Sequence, residues 1–274
     1  MKRGKQKMVP IHDASDIFLS RKAGGLAAQV LAMLTPHVQA GVSTDQLDKI
    51  CHDYIVNELQ CTPTDVGYHG FPKTVCTSVN HVICHGIPDA KQILKEGDII
   101  NVDVAVTTPE GWIGDTSRMY YVGQPSNLAK RLVNTTYEAL VAGIHAVKPG
   151  ATLGDVGHAI QTVAQRERFS IVREYCGHGI GKVYHDEPQV LHYGTPGQGL
   201  VLEPGMIFTI EPMLNLGKRD IKELGKDGWT IITKDRSLSA QWEHTVVVTE
   251  TGHEVLSLSA GYPPLPAFVQ STCS

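Results

Sequence analysis

Residues 96–104 read EGDIINVDV and residues 204–212 read PGMIFTIEP. Each is a glycine, a short apolar run and then a carboxylate six residues on, Asp103 after Gly97 and Glu211 after Gly205. Their β-branched and apolar content predicts strands. An ionised carboxylate in so apolar a strand is costly unless it is paired or binds a metal. The surroundings repeat as well. Residues 13–40 carry apolar positions at helical spacing and stop near Gly41, after which Ser43 or Thr44 caps DQLDKICHDYIVNEL. Later, LAKRLVNTTYEALVAGIHAVKPG is an amphipathic helix stopped at Pro149-Gly150, and Thr152 caps LGDVGHAIQTVAQRERF. His85-Gly86-Ile87 has a counterpart in His178-Gly179-Ile180. Helix, glycine turn, capped helix, His-Gly-Ile, strand and carboxylate thus occur twice in one order. The order predicts two related α+β halves with equivalent strand carboxylates meeting at their junction.

The bulk properties narrow the function classes. At 274 residues the chain has ample material for a core. A net charge of −4 leaves no electrostatic footprint for nucleic acid or an anionic membrane. The basic start MKRGKQK reads as a solvated tail, since no apolar run follows it to make a secretory signal. No segment reads as the ~20 apolar residues of a membrane span. Cys51, Cys61, Cys76, Cys84, Cys176 and Cys273 lack CxxC spacing and read as reduced thiols of a cytosolic protein. Residues 1–11 are expected to be a tail, residues 12–258 one catalytic unit, and residues 259–274, with their GYPPLP start, a second tail.

The turn TTPEG, residues 107–111, is flanked by two apolar runs and predicts a hairpin. Folded about Pro109, it sets Asp103 and Asp115 opposite one another. Two like charges that close need a cation, or one takes up a proton. Glu211 ends an apolar run and Glu243 opens another, WEHTVVVTE. His178 lies in YCGHGIG, where glycines let backbone approach and leave the imidazole clear. Four carboxylates and one imidazole suit a pair of divalent ions better than a Cys-rich structural zinc. No GxSxG nucleophile elbow is present.

The ordered set YHGFPKTVCTSVNHVICHGIP, GDIINVDV, GDTSRMY, REYCGHGIGKVYHDEPQV, GMIFTIEPM and DRSLSAQWEHTVVVT closely resembles the type I methionine aminopeptidases, over roughly residues 12–258. The resemblance implies the pita-bread fold, an α+β architecture. In it, two pseudo-symmetric halves share a curved, mainly antiparallel sheet covered by helices and enclose a dinuclear site. It implies that Asp103 chelates one divalent ion, that Asp115 and Glu243 bridge both, and that His178 and Glu211 complete the other. Cobalt, manganese, iron and zinc all fit that set. His85 then hydrogen-bonds the substrate at the scissile amide, His185 faces the carbonyl oxygen, and Glu211 moves the proton. Tyr68, Phe71, Cys76 and Trp229 occupy the family's methionine-pocket positions. Asn80, Val82 and Ser239 match a monovalent-cation site for sodium or potassium. His69 and His244 adjoin matched motifs and are either supporting groups of the site or structural. Three positions depart from the family pattern: Phe71 stands where many bacterial relatives carry Tyr, Tyr184 replaces a common Phe, and Asp65 stands where close relatives often carry Cys.

The implied reaction is hydrolytic removal of N-terminal methionine from nascent chains whose second residue is small, by a cytoplasmic monomer that meets them at the ribosome. The Met1-Lys2 start is then not self-trimmed. Two rival readings remain at this point. A prolidase or aminopeptidase P would need a sizeable extra N-terminal domain, and a non-enzymatic binding protein of the same fold would have lost its ligands.

Overall fold

The computed structural model describes residues 8–224 and 227–258. Among the described residues, four α-helices form where periodicity predicts them. Asp13 opens α1 (Ala14–Leu34) by accepting hydrogen bonds from the Ser15 and Asp16 N–H groups. Pro36 converts Thr35–His37 to a 3-10 turn, so this helix stops short of Gly41. α2 (Thr44–Asp53) starts from Ser43, whose capping box with Gln46 satisfies two orphan donors, and runs on as a π turn, Tyr54–Glu58. Ser126 caps α3 (Asn127–Ala146), and a Thr152–Asp155 capping box opens α4 (Leu153–Arg166).

The strands, in chain order, are β1 (Thr62–Pro63), β2 (Cys76–Val79), β3 (Val82–Cys84), β4 (Ile99–Thr107), β5 (Ile113–Tyr121), β6 (Ser170–Ile171), β7 (Gly177–Gly179) and β8 (Asp186–Val190). They continue as β9 (Ile207–Ile210), β10 (Met213–Asn215), β11 (Ile221–Glu223), β12 (Ile231–Thr233), β13 (Ser239–Gln241), β14 (Glu243–Val248) and β15 (His253–Val255). The central sheet runs β1-β4-β5-β14-β9-β7-β8, with β2 also on β4 and β15 also on β14. All its pairs among the described residues are antiparallel.

Side-chain alternation assigns the two faces of this sheet. Ile100, Val102, Val104 and Val106 of β4 join Val30, Leu31, Leu34, Leu47 and Cys51 of α1 and α2 in one core cluster. Phe208, Ile210, Val246 and Val248 join Leu132, Leu140, Val156 and Ile160 of α3 and α4 in another. Each such burial contributes about 1.5–3 kcal/mol. Their alternate neighbours Asp103, Asp115 and Glu243 therefore face away from the helices.

The hairpin register differs from expectation. Asp103 pairs with Ser117 and Ala105 with Asp115, so the two aspartates are diagonal neighbours on one face rather than direct partners. The turn closes around Glu110 instead of Pro109. Thr108 N–H donates to the Trp112 carbonyl, and Gly111 takes φ +81°, which an L side chain resists.

The two halves are related by register. β5 meets β14 with Ser117 opposite Glu243, while Asp103 pairs with Ser117 on one side and Ile210 with His244 on the other. The same rotation that exchanges β5 and β14 carries Asp103 onto Glu211 and β2 onto β7. His178, on β7, is therefore not the positional counterpart of His85, which follows β3; the shared His-Gly-Ile is a likeness of sequence only.

One composition-based expectation also changes. The Ala14–His37 stretch, 24 residues holding an 18-residue window of mean hydropathy 1.2, is long and apolar enough to cross a membrane by length and composition. Its Ala27, Val30, Leu31 and Leu34 are spent in the core, and Gly114 of β5 lies so close that a Cβ there would sit 2.1 Å from the Ala23 carbonyl carbon. It is a core helix.

Candidate metal centre

The helix-free face of the sheet forms the floor of a cavity of about 250 Å³. β4, β5 and β14 project Asp103, Asp115 and Glu243 into it, β7 projects His178, and Glu211 enters just past β9, before Pro212. One donor atom each from Asp115, His178 and Glu243 lie within 4.8 Å of one another. His178 Nε2 stands 3.5 Å from Asp115 Oδ2 and 3.6 Å from Glu211 Oε1. All five expected ligands thus converge, although their sequence positions span 140 residues of separation at most, from Asp103 to Glu243.

The electrostatics are those of an anionic site short of positive charge. Burial pushes Asp115 up to about 7. Burial and then the charges of neighbouring carboxylates, Asp115 among them, push Asp103, Glu211 and Glu243 well above the ordinary carboxylate range. Asp103 and Glu243 are hydrogen-bonded carboxyl to carboxyl, which needs a shared proton. The Asp115 Oδ1 atom is buried with no hydrogen-bond partner. His178 Nδ1 lies 3.1 Å from the Gly179 carbonyl and donates to it, leaving the Nε2 lone pair turned to the carboxylates. Burial lowers this imidazole to about 4, so it is neutral. An orphaned carboxylate oxygen, a free imidazole lone pair and carboxyls obliged to share protons fit divalent cations, and the oxygen-rich donor set suits manganese, iron, cobalt or zinc.

Three residues that sequence reasoning missed hold Glu211. Thr209 Oγ1 donates to Oε1 at 2.9 Å, Gln241 Nε2 donates to Oε2 at 3.3 Å, and Glu211 N–H donates to His192 Nε2 at 3.1 Å. Strand alternation carries a signal for Thr209, two residues before Glu211. Nothing local points to His192.

The expected pocket residues Tyr68, Phe71, Cys76 and Trp229 all line the same cavity, with Phe71 and Trp229 edge to face at 5.1 Å. His85 adopts φ +56° and stands between Tyr175 and Trp229, at 5.3 and 5.9 Å between ring centroids. Burial and the facing His185 lower it to about 4. His185 lies at the open rim, where Tyr68 Oη meets its Nδ1 at 2.7 Å. Burial of the part of its ring set into the cavity mouth, then the neighbouring His178, hold it below the ordinary imidazole range. Cys84, Tyr175, Cys176 and Met213 also line the cavity, beyond the expected set.

Asn80, Val82 and Ser239 sit together away from this lining. Ser239 N–H donates to the Asn80 carbonyl at 2.8 Å, and the Asn80 side chain is spent on Asp98 and the Ile99 N–H. His69 packs on the Tyr68 ring. His244 points to the helix side and bonds Ser257 Oγ at 2.8 Å, a structural role.

Residues 19–250 match metallopeptidase family M24. The chain belongs to that family. Among its M24 relatives, the methionine aminopeptidase of Escherichia coli K12 is 55% identical over 250 residues, covering 91% of this chain and 94% of that one. The crystal structure of methionine aminopeptidase from Rickettsia prowazekii superposes with a TM-score of 0.90 at 51% identity, covering 92% of this chain and all of that one. The Thermotoga maritima methionine aminopeptidase structure gives 0.89 at 38% identity with the same coverage. The M24 chain shares with both the pita-bread architecture that its repeat and motifs lead one to expect.

Proposed function

We infer that this M24 enzyme is a methionine aminopeptidase that hydrolyses the first peptide bond of chains beginning with methionine. The observation that carries the reading is a carboxylate-rich, cation-seeking floor beneath a wall of aromatic and thiol side chains, in a chain closely related to methionine aminopeptidases. An apolar wall suits a thioether, which offers dispersion and sulfur–aromatic contact.

Two divalent ions would be held by Asp103, Asp115, His178, Glu211 and Glu243; bound there, they lower the pKa of water and polarise a carbonyl. Tyr68, Phe71, Cys76 and Trp229 hold the methionine side chain. Glu211, braced by Thr209 and Gln241, takes the proton of the attacking water and returns it to the leaving amine. With Tyr68 Oη donating to Nδ1, neutral His185 keeps its proton on Nε2 and donates it to the carbonyl oxygen. His85 orients the peptide nitrogen. Asn80, Val82 and Ser239 would hold a sodium or potassium ion through backbone oxygens. Residues 12–258 act as one catalytic unit, as a monomer in the cytoplasm, on nascent chains with a small second residue as the ribosome presents them.

Metal-supplemented enzyme offered Met-Ala-Ser, Met-Lys-Ser and Xaa-Pro peptides tests this directly. Fast methionine release from the first alone is expected. Preferential cleavage before proline would replace the reading with that of a prolidase.

A further inference from the structure

A short network at the cavity mouth ties the 65–71 loop of the first half to residues 184–185 of the second. Tyr184 Oη donates to Asp65 Oδ1 at 2.8 Å, and Tyr68 N–H donates to the Asp65 carbonyl at 3.0 Å. The Tyr184 ring stacks on the His185 imidazole, 4.2 Å between centroids and 27° between planes. Tyr68 stands edge-on to Tyr184 at 5.0 Å, and its hydroxyl engages His185 Nδ1. One face of the imidazole therefore rests on Tyr184 and one edge on Tyr68; the Asp65 carboxylate holds Tyr184, and Tyr184 in turn packs against the Tyr68 ring. Asp65 is only 8% exposed, so water competes poorly for its bond to Tyr184, whereas His185 itself is exposed. An exposed imidazole without such supports would populate several rotamers and tautomers.

We propose that Asp65 is a positioning residue which, through Tyr184 and the Tyr68 ring packed on it, sets the angle and tautomer in which His185 presents its ring to the substrate. The proposal rests on His185 being the group that faces the carbonyl oxygen. Asp65 touches no reacting atom; its effect passes through two rings. Cutting the Asp65–Tyr184 bond at either end frees the same imidazole, so the two losses do not add. Asparagine keeps an oxygen that accepts from Tyr184 and so substitutes for the aspartate, which separates hydrogen bonding from charge.

The test compares Asp65→Asn, Asp65→Ala, Tyr184→Phe and the double variant Asp65→Ala/Tyr184→Phe. Methionine release from Met-Ala-Ser is measured with metal supplied, and the ¹⁵N signals of His185 are read in zinc-loaded samples. Asp65→Ala and Tyr184→Phe are each expected to lower kcat about tenfold with KM little changed. The double variant should lose about as much as either single one, and Asp65→Asn should stay close to the parent. The His185 spectrum should show one tautomer, protonated at Nε2, in the parent and Asp65→Asn, and a mixture in the other three. Multiplying losses in the double variant, a parent-like kcat in Asp65→Ala, or an unmoved His185 spectrum would each overturn the proposal. Should Asp65→Ala fail to fold, Tyr184→Phe, which deletes one oxygen and keeps the ring, decides alone. A parent that releases no methionine sinks the proposed function, while the His185 spectra still report on the network.

Discussion

Stripping divalent ions from this protein should make its stability fall with rising pH above neutrality. Asp103, Asp115, Glu211 and Glu243 are all pushed up, first by burial and, for all but Asp115, then by one another's charge. A carboxyl whose folded pKa is raised binds its proton more tightly in the fold than in the open chain. The stability it contributes is whole below the unfolded value and drains away as pH rises through the folded one. Asp115, lifted from 3.8 to about 7, would alone cost about 1 kcal/mol between pH 6.5 and 8. Every other carboxyl still protonated there adds up to about 1.4 kcal/mol per pH unit with the same sign. Buried imidazoles work the opposite way at lower pH. His85, His178 and His244 are lowered to about 4 and His192 to about 3, so their contribution is present above the unfolded value of 6.5 and lost on acidification. Part of that contribution, about 1.5 kcal/mol over the four imidazoles, still falls between pH 6.5 and 8 and offsets the loss from Asp115. The chelated protein should therefore lose melting temperature over that window through Asp103, Glu211 and Glu243, by a few °C for each that is still protonated there. Manganese-loaded protein, whose carboxylates are balanced by cations, should hold its melting temperature over that window. Calorimetric scans in chelator and in manganese at half-unit steps measure both. A chelated melting temperature that stays level or climbs from pH 6.5 to 8 would refute the argument.

Asp115→Ala and Glu243→Ala should each abolish tight metal binding and methionine release together, as read by isothermal titration and peptide assay; an active, metal-free variant would contradict the assignment. His85→Ala should keep its metal content by elemental analysis while kcat drops about 100-fold, and a fully active variant would remove His85 from the reaction. Gly114→Ala, whose Cβ would sit 2.1 Å from the Ala23 backbone, should cost about 3 kcal/mol in urea unfolding because α1 must lift off β5.

The helix caps at Ser43 and Thr152 and the strands around Asp103 and Glu211 were legible because each depends on neighbours within a turn or two, whereas the cap at Ser126 emerged only in the structure. The candidate ligands were legible as chemistry: carboxylates in apolar strands demand a counter-charge wherever they end up. Tyr68, Phe71, Cys76 and Trp229 were legible only through motif likeness, since a lone aromatic is ordinary core. Register was not legible. Pro109 is a reasonable turn centre, yet Gly111 takes the left-handed conformation and moves the centre by one residue, which shifts Asp115 from facing Asp103 to facing Ala105. His192 and the Asp65–Tyr184 bond were equally hidden, the latter joining residues 119 apart in the chain.

What the sequence determined by itself was the inventory: two capped helix pairs, two carboxylate-bearing strands, and donors of the right kind for divalent cations. Tertiary structure decided which oxygens share a floor, which histidine braces Glu211, and which tyrosines steer His185. The division follows from range. Propensity, capping and alternation act between residues a few positions apart, whereas strand register and the meeting of the two halves are settled by backbone pairing and burial across more than a hundred residues.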